Sequence, residues 1–223
     1  MENYDIIKND FNEIAELQEQ AKWNHNNCYF EYLLSFVPEK IDLCLDIGCG
    51  HGELSALLAK KANKVIAVDL ADKMIDSAKK CNGLPNIEYV CDNILNMNFT
   101  DHSFDIIITT ATVHHLPYEW LLKFAKQKLK TGGKLIVLDL VNAETMSDKL
   151  LWSFAAIPNF FMNIIKNGGL PNSDPHSKAV WDKHGEHDIY MSLAEIKRLA
   201  AKHLPNAFVK RKLFWRYVLI WQK

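Results

Sequence analysis

Leu45-Asp46-Ile47-Gly48-Cys49-Gly50-His51-Gly52-Glu53 begins as an apolar run and gives way to three alternating glycines. An amphipathic segment marked by Leu54, Leu57 and Leu58 follows it. This is the pattern of a buried strand turning tightly into a helix. Glycines allow positive φ and let a ligand come close to the backbone. A helix start aimed at the turn favours a carboxylate or phosphate. The same run also reads as a purely structural turn, and only its surroundings decide between the two.

Those surroundings alternate strand and helix. Apolar, β-branched runs occur at 43–47, 64–68, 87–91, 104–109 and 135–140. Amphipathic segments separate most of them, including one with Met74, Ile75 and Ala78 and one with Leu121, Phe124, Ala125 and Leu129. Gly132-Gly133 is expected to end the latter helix. Such alternation implies a parallel sheet with right-handed crossovers. Two further strands, 208–213 and 216–221, are close enough to form an antiparallel hairpin. Before them, Ser192-Leu193-Ala194-Glu195 is a capping box opening a helix that runs to His203.

Polar residues gather at the C-terminal ends of these strands, where open α/β sheets bind ligands. Asp69 ends the second strand and suits a pair of ribose hydroxyls, although it also suits a helix N-cap, as does Asp72. Asp92 and Asn93 follow the third strand. They suit the edge of an adenine, or else an Asx turn. Thr109, Thr110 and Ala111 end the fourth strand and should face the same crevice.

Composition narrows the function. The chain has 223 residues, 48% hydrophobic and 24% charged, which fits one large globular domain rather than a disordered chain. A net charge of −1 argues against a dedicated nucleic-acid binder. The five cysteines lack any Cys-x-x-Cys pair, and the acidic N-terminus has no signal-peptide core. A cytoplasmic location is expected. The stretch 150–165 is too short and too interrupted to span a bilayer.

Taken together, Leu45–Gly52, Val68-Asp69-Leu70 with Met74, Cys91-Asp92, Phe104–Thr109 with His114-His115-Leu116, and Gly132-Gly133-Lys134-Leu135 resemble the class I S-adenosylmethionine-dependent methyltransferases. Within that superfamily the resemblance is to the bacterial small-molecule group that includes ubiquinone and menaquinone methyltransferases. It covers about residues 43–140 and the last two strands. It implies a Rossmann-like, doubly wound α/β fold: seven mostly parallel strands with an antiparallel last strand. S-adenosylmethionine would be the cofactor and S-adenosylhomocysteine the product.

The resemblance also implies roles. Gly48, Cys49 and Gly50 would meet the methionine end through backbone atoms, and Asp46 would hold its ammonium group. Asp69 would bind the ribose, Leu70 and Met74 would pack on the adenine, and Asp92 and Asn93 would read its edge. Thr110 and Ala111 would line the sulfonium side.

Two other functions remain open at this stage. A nicotinamide oxidoreductase shares the glycine turn and the ribose acid, but its fingerprint wants Gly or Ala where Glu53 stands. A catalytically silent binding module of the same fold would keep Asp46, Asp69 and Asp92. Metal dependence is not expected. Metal-binding members carry Glu-x-x-Glu-His where this chain has Ala111-Thr112-Val113-His114-His115. His176, His184 and His187, with Asp174 and Asp188, fit no standard ligand spacing.

The methyl acceptor would be a small organic molecule. Trp23, His25, Tyr29, Trp181, His184 and Tyr190 are the candidates for its pocket, with His114 as a general base if one is needed. Each of these aromatics also reads as ordinary packing. The expected organisation is a helical cap over 1–40, a cofactor-binding core over 41–141, a helical insertion over 142–190, and a last helix with a hairpin over 191–223. The insertion is read as a lid. Its apolar residues Leu150, Leu151, Trp152, Phe154, Ile157, Phe160, Phe161, Ile164 and Ile165 would face the N-terminal helices and the acceptor, or else form only a stabilising layer. The sequence leaves the oligomeric state open.

Overall fold

The computed structural model describes residues 2–17, 22–144, 146–168, 175–186 and 188–223. Seven strands form one sheet: β1 (Ile41–Ile47), β2 (Ala62–Asp69), β3 (Ile87–Cys91), β4 (Phe104–Thr110), β5 (Leu129–Leu140), β6 (Phe208–Lys212) and β7 (Arg216–Gln222). Their spatial order is β3-β2-β1-β4-β5-β7-β6. The strands β1 to β5 pair in parallel, and β7 lies antiparallel between β5 and β6. The strand order reverses between β1 and β4, so a crevice opens at their C-terminal ends.

Eight helices accompany the sheet among the described residues: α1 (Glu2–Ala15), α2 (Phe30–Leu34), α3 (Glu53–Leu58), α4 (Asp72–Asn82), α5 (Tyr118–Lys128), α6 (Met146–Asn167), α7 (Pro175–Gly185) and α8 (Leu193–His203). The two-residue period of the strands divides their side chains between two cores. Leu45, Ile47, Ile107, Leu135 and Val137 pack with α5 and α8, through Leu121, Leu122, Ile196 and Leu199. Cys44, Ile106, Ile108, Ile136 and Leu138 point the other way, onto Leu54, Leu58 and Ile75 of α3 and α4 and Leu33 before β1. Because both faces are covered, these strands read in sequence as near-continuous apolar runs.

Several local expectations change. Helix α5 stops at Lys128, and Gly132 and Gly133 lie inside a long β5 rather than at a helix end. The register shifts there between Phe104 and Ile106, and a Cβ on Gly133 would stand 3.0 Å from the Phe104 carbonyl oxygen. The glycine pair therefore permits a bulge and a close approach. Neither Asp69 nor Asp72 caps α4, whose N-cap is Ala71. The capping box of α8 forms on one side, with Ser192 Oγ accepting from the Glu195 amide at 3.1 Å.

The largest departure is α6. Leu150, Phe154, Ile157, Phe160, Phe161, Ile164 and Ile165 are exposed, between 40% and 70%, instead of facing inward. The side chains of Leu151 and Trp152 lie outside the described residues. What holds α6 is a polar row one helical turn apart: Asn159, Asn163 and Asn167. Asn167 accepts from the Trp23 amide at 2.8 Å and donates to its carbonyl at 3.0 Å. Asn159 Oδ1 meets His25 Nε2 at 2.8 Å. These bonds fix the rotation of the helix with its amide edge inward and its apolar side outward. No described helix is long and apolar enough to cross a membrane.

Candidate active site

The crevice is a cavity of about 840 Å³. That is towards the upper end of the ~300–1,000 Å³ usual for small-ligand sites. Its floor is the glycine turn after β1. The amides of Gly48 and Cys49 donate to the Val68 carbonyl at 2.8 and 3.0 Å. That of Gly50 donates to Asp69 Oδ2 at 2.8 Å. These three amides are thus tied to β2. What the turn offers the cavity is room. Gly50 has φ +51° and a Cβ there would meet nothing within 4 Å. Gly48, at φ +71°, is needed for another reason, since a Cβ would strike Thr112 Oγ1 at 2.0 Å.

Three acids border this floor. Asp46 is buried and accepts from Ser55 Oγ at 2.6 Å. Burial pushes its carboxyl up to about 7, the Ser55 hydroxyl opposes this, and Asp69 adds to it. A buried carboxyl facing a cavity is poised to gain a cation. Asp69 accepts from the Gly50 and Ala71 amides, at 2.8 and 3.0 Å. Desolvation nevertheless leaves its pKa above the ordinary carboxylate value. Asp92 accepts from the Asn93 amide at 2.7 Å, and Asn93 caps the next turn through the Leu95 amide at 3.0 Å. The Asx-turn reading therefore holds for Asn93, and both residues still line the cavity. Leu70, Met74, Thr110 and Ala111 line it too. Thr109 does not; it is buried within β4. Ala111 has φ +51°, unusual for a residue with a Cβ.

Beyond Ala111 a short turn carries His114. Its backbone amide and ring Nδ1 both reach Asp139, at the end of β5, at 2.8 and 2.7 Å. Burial pulls the imidazole pKa down, but Asp139 outweighs it and the net direction is up. The neighbouring His115 goes the other way, to about 3, through burial and the adjacent His114.

Helices α1 and α7 cover the cavity. Ile7, Phe11 and Ile14 come from α1, and Trp181 and His184 from α7. Lys183 joins the two helices through Glu13 at 3.0 Å and Asp10 at 3.4 Å. The Phe11 ring meets His184 edge-on, 4.7 Å between centroids.

Of the acceptor-pocket candidates, Trp23, His25, Trp181, His184 and Tyr190 all line the cavity. Trp23 Nε1 is buried with no hydrogen-bond partner among the described residues. His25 stacks on Phe214, 5.1 Å between centroids. Tyr29 is not part of the lining; its hydroxyl donates to the Leu213 carbonyl at 3.0 Å and its ring packs in the core. Sequence reasoning missed the α1 residues and Arg216, and named Asp188 only beside the histidines of the insertion. Arg216 begins β7, is buried, and is held by Asn26 Oδ1 at 2.9 and 3.0 Å. Its signal was only a lone arginine amid apolar residues.

The histidines of the insertion also regroup. Residues 174 and 187 lie outside the described residues, and His176 is exposed on α7. His184 and Asp188 instead join His114 and His115 in one cluster. Their sequence spacing gave no sign of it, because the adjacent His114 and His115 are far in sequence from His184 and Asp188.

The comparisons with known proteins follow this geometry. A methyltransferase-domain family model matches residues 45–137. An uncharacterised methyltransferase of Mycobacterium tuberculosis is 25% identical over 201 residues, 90% of this chain and 96% of that protein. A ubiquinone biosynthesis O-methyltransferase of Coxiella burnetii is 35% identical over 109 residues, 46% of this chain and 47% of its own length. An S-adenosylmethionine-dependent methyltransferase structure from Aquifex aeolicus superposes with a TM-score of 0.54 at 19% identity, covering 86% of this chain and 88% of that one. The sheet order, its antiparallel β7 and the matched domain support a class I S-adenosylmethionine-dependent methyltransferase. The chain is accordingly an enzyme, with S-adenosylmethionine as its cofactor. The nicotinamide reading falls with the same topology, since the dinucleotide fold is built from two parallel halves and has no reversed strand next to β5.

Proposed function

We propose that the chain transfers the methyl group of S-adenosylmethionine to a small organic acceptor held beneath α1 and α7. One observation carries this reading: a single cavity joins the acids of the glycine turn to Trp23, His25 and Arg216. The first end suits an aminoacyl nucleoside and the second an aromatic or polar small molecule.

In this reading Asp46 holds the cofactor's ammonium group, Asp69 its ribose, and Asp92 with Asn93 its adenine edge, while Leu70 and Met74 sandwich the ring. Thr110 and Ala111 border the sulfonium. The cofactor supplies an already activated methyl group, so that the acceptor's lone pair forms the new bond as the carbon–sulfur bond breaks and its electrons stay on sulfur. The protein's work is then alignment and exclusion of water. Trp23, Trp181 and Tyr190, which line the cavity, orient the acceptor. His114 is the side chain we place at the reacting atom. With Asp139 accepting from Nδ1, the lone pair on Nε2 is free for a proton or a cation. Residues 142–190 act as acceptor selector through His184, Asp188 and Tyr190. Free cysteines at all five positions suit a reducing cytoplasm.

The test is a cofactor titration followed by incubation with cell metabolites and isotopically labelled S-adenosylmethionine. Cofactor binding with label appearing in one small molecule supports the reading. Label found only in protein or nucleic acid would sink the small-molecule acceptor.

A further inference from the structure

Three imidazole nitrogens surround one carboxylate oxygen at nearly equal range. His114 Nε2 stands 3.8 Å from Asp188 Oδ1, His115 Nδ1 3.7 Å and His184 Nε2 3.7 Å. Their ligand atoms all lie within 4.8 Å of one another. These separations are too long for hydrogen bonds. Asp188 Oδ1 is nonetheless buried and has no hydrogen-bond partner among the described residues. A buried carboxylate oxygen seldom stays unpaired. Three nitrogens at nearly equal distance from one carboxylate oxygen, and not in contact with it, suit the corners of a coordination shell. Ligand atoms about 2.0–2.2 Å from a tetrahedral ion are about 3.4 Å apart, so the cluster needs to contract by only a few tenths of an ångström at each nitrogen–oxygen pair.

We infer that His114, His115, His184 and Asp188 form a binding site for a divalent transition-metal ion of the zinc class. Imidazole donors favour such an ion over magnesium or calcium, which prefer all-oxygen shells. The supporting groups are those a metal site needs. Asp139 accepts from His114 Nδ1 at 2.7 Å, which fixes the ring and leaves Nε2 for the ion. The Tyr190 hydroxyl donates to Asp188 Oδ2 and so directs Oδ1 inward. The ligands come from the turn after β4, from α7 and from the segment after α7. Bound metal therefore clamps the cover of the cavity to the end of the sheet, beside the place assigned to the methyl acceptor. The ion would occupy the Nε2 lone pair of His114 that the metal-free protein offers to a proton. The site goes beyond the methyl-transfer reading and does not rest on it.

The experiment uses tag-free full-length protein stripped with a chelator. Zinc is titrated against a chromophoric chelator, and cobalt is followed by the visible ligand-field bands of a tetrahedral complex. One equivalent of zinc and an intense cobalt spectrum are expected. His184→Ala and Asp188→Asn should each weaken zinc at least tenfold and abolish that spectrum. Asp139→Asn, which touches no ion, should weaken zinc by about 10–100-fold. Calorimetry with S-adenosylmethionine on the same samples reports folding and cofactor binding separately. Less than one equivalent of zinc, or zinc affinity unchanged in both ligand variants, overturns the proposal whatever the cofactor result. The near-isosteric Asp188→Asn decides the matter if His184→Ala fails to fold.

Discussion

If Asp46 receives the cofactor's ammonium group, binding must depend on pH in a defined way. In the free protein this carboxyl is pushed up to about 7, chiefly by burial. Only the ionised form attracts a cation, and the bound ammonium lowers the pKa again. Binding below the free-protein pKa therefore expels a proton. Between pH ~8 and ~6 the ionised fraction of Asp46 falls about tenfold, and affinity falls with it by about 1.4 kcal/mol. A further unit down, to pH ~5, removes about another tenfold. Above pH ~8 the ammonium itself loses its proton, so affinity should peak between about 7 and 8. The sign for stability is opposite to that of most carboxylates. A raised folded pKa means the folded state holds its proton more tightly, so this group's contribution shrinks as pH rises through the window from about 4 to about 7. Calorimetric titration with S-adenosylhomocysteine in buffers of differing ionisation enthalpy reads both affinity and proton release. Asp46→Asn should bind weakly with a flat acid limb. A wild-type affinity constant from pH ~5 to ~7, with no proton released, would refute the placement of the ammonium at Asp46.

Other perturbations separate binding from folding. Asp69→Ala removes a charged acceptor worth about 1.5–3 kcal/mol and should weaken S-adenosylmethionine by about one to two orders of magnitude in calorimetry. Gly48→Ala drives a methyl into Thr112 at a left-handed φ and should lower unfolding free energy in urea by roughly 2–4 kcal/mol. Gly50→Ala meets no protein atom and should cost only about 1–2 kcal/mol of stability, yet lose cofactor affinity as its methyl enters the cleft; equal affinity would move the cofactor elsewhere. Ser192→Ala removes the cap of α8 and should cost about 1 kcal/mol of stability with cofactor binding unchanged.

Strand identity was legible because β1, β2, β4 and β5 carry residues buried on both faces, and double burial writes itself as runs such as Ile106-Ile107-Ile108. The positions of Asp46, Asp69 and Asp92 at strand ends followed from that register. The start of β5 was not legible, because Gly132-Gly133 after a helix signals a stop and only the neighbouring Phe104 carbonyl reveals the bulge. Helix α6 misled for a related reason. Its apolar residues outnumber its asparagines, but the asparagines carry the hydrogen bonds to Trp23 and set which side faces in. Tyr29 could not be told from a pocket residue without knowing that Leu213 lies within reach of its hydroxyl. The cluster of His114, His115, His184 and Asp188 depends on how α7 returns across the sheet, a path no local pattern encodes.

Ala111 holds one more implication. Its left-handed backbone is anchored by an amide bond to the Leu138 carbonyl at 2.8 Å, so the tip of β4 is held in a conformation that glycine would adopt without effort. Ala111→Gly is accordingly one of the simplest routes to a tougher protein, by up to about 1–2 kcal/mol. An engineer aiming only at heat resistance would choose it at once. Ala111 lines the cavity, so the hardier variant would have a wider cavity there. Thermal tolerance and the shape of the cavity are set against each other at a single carbon atom.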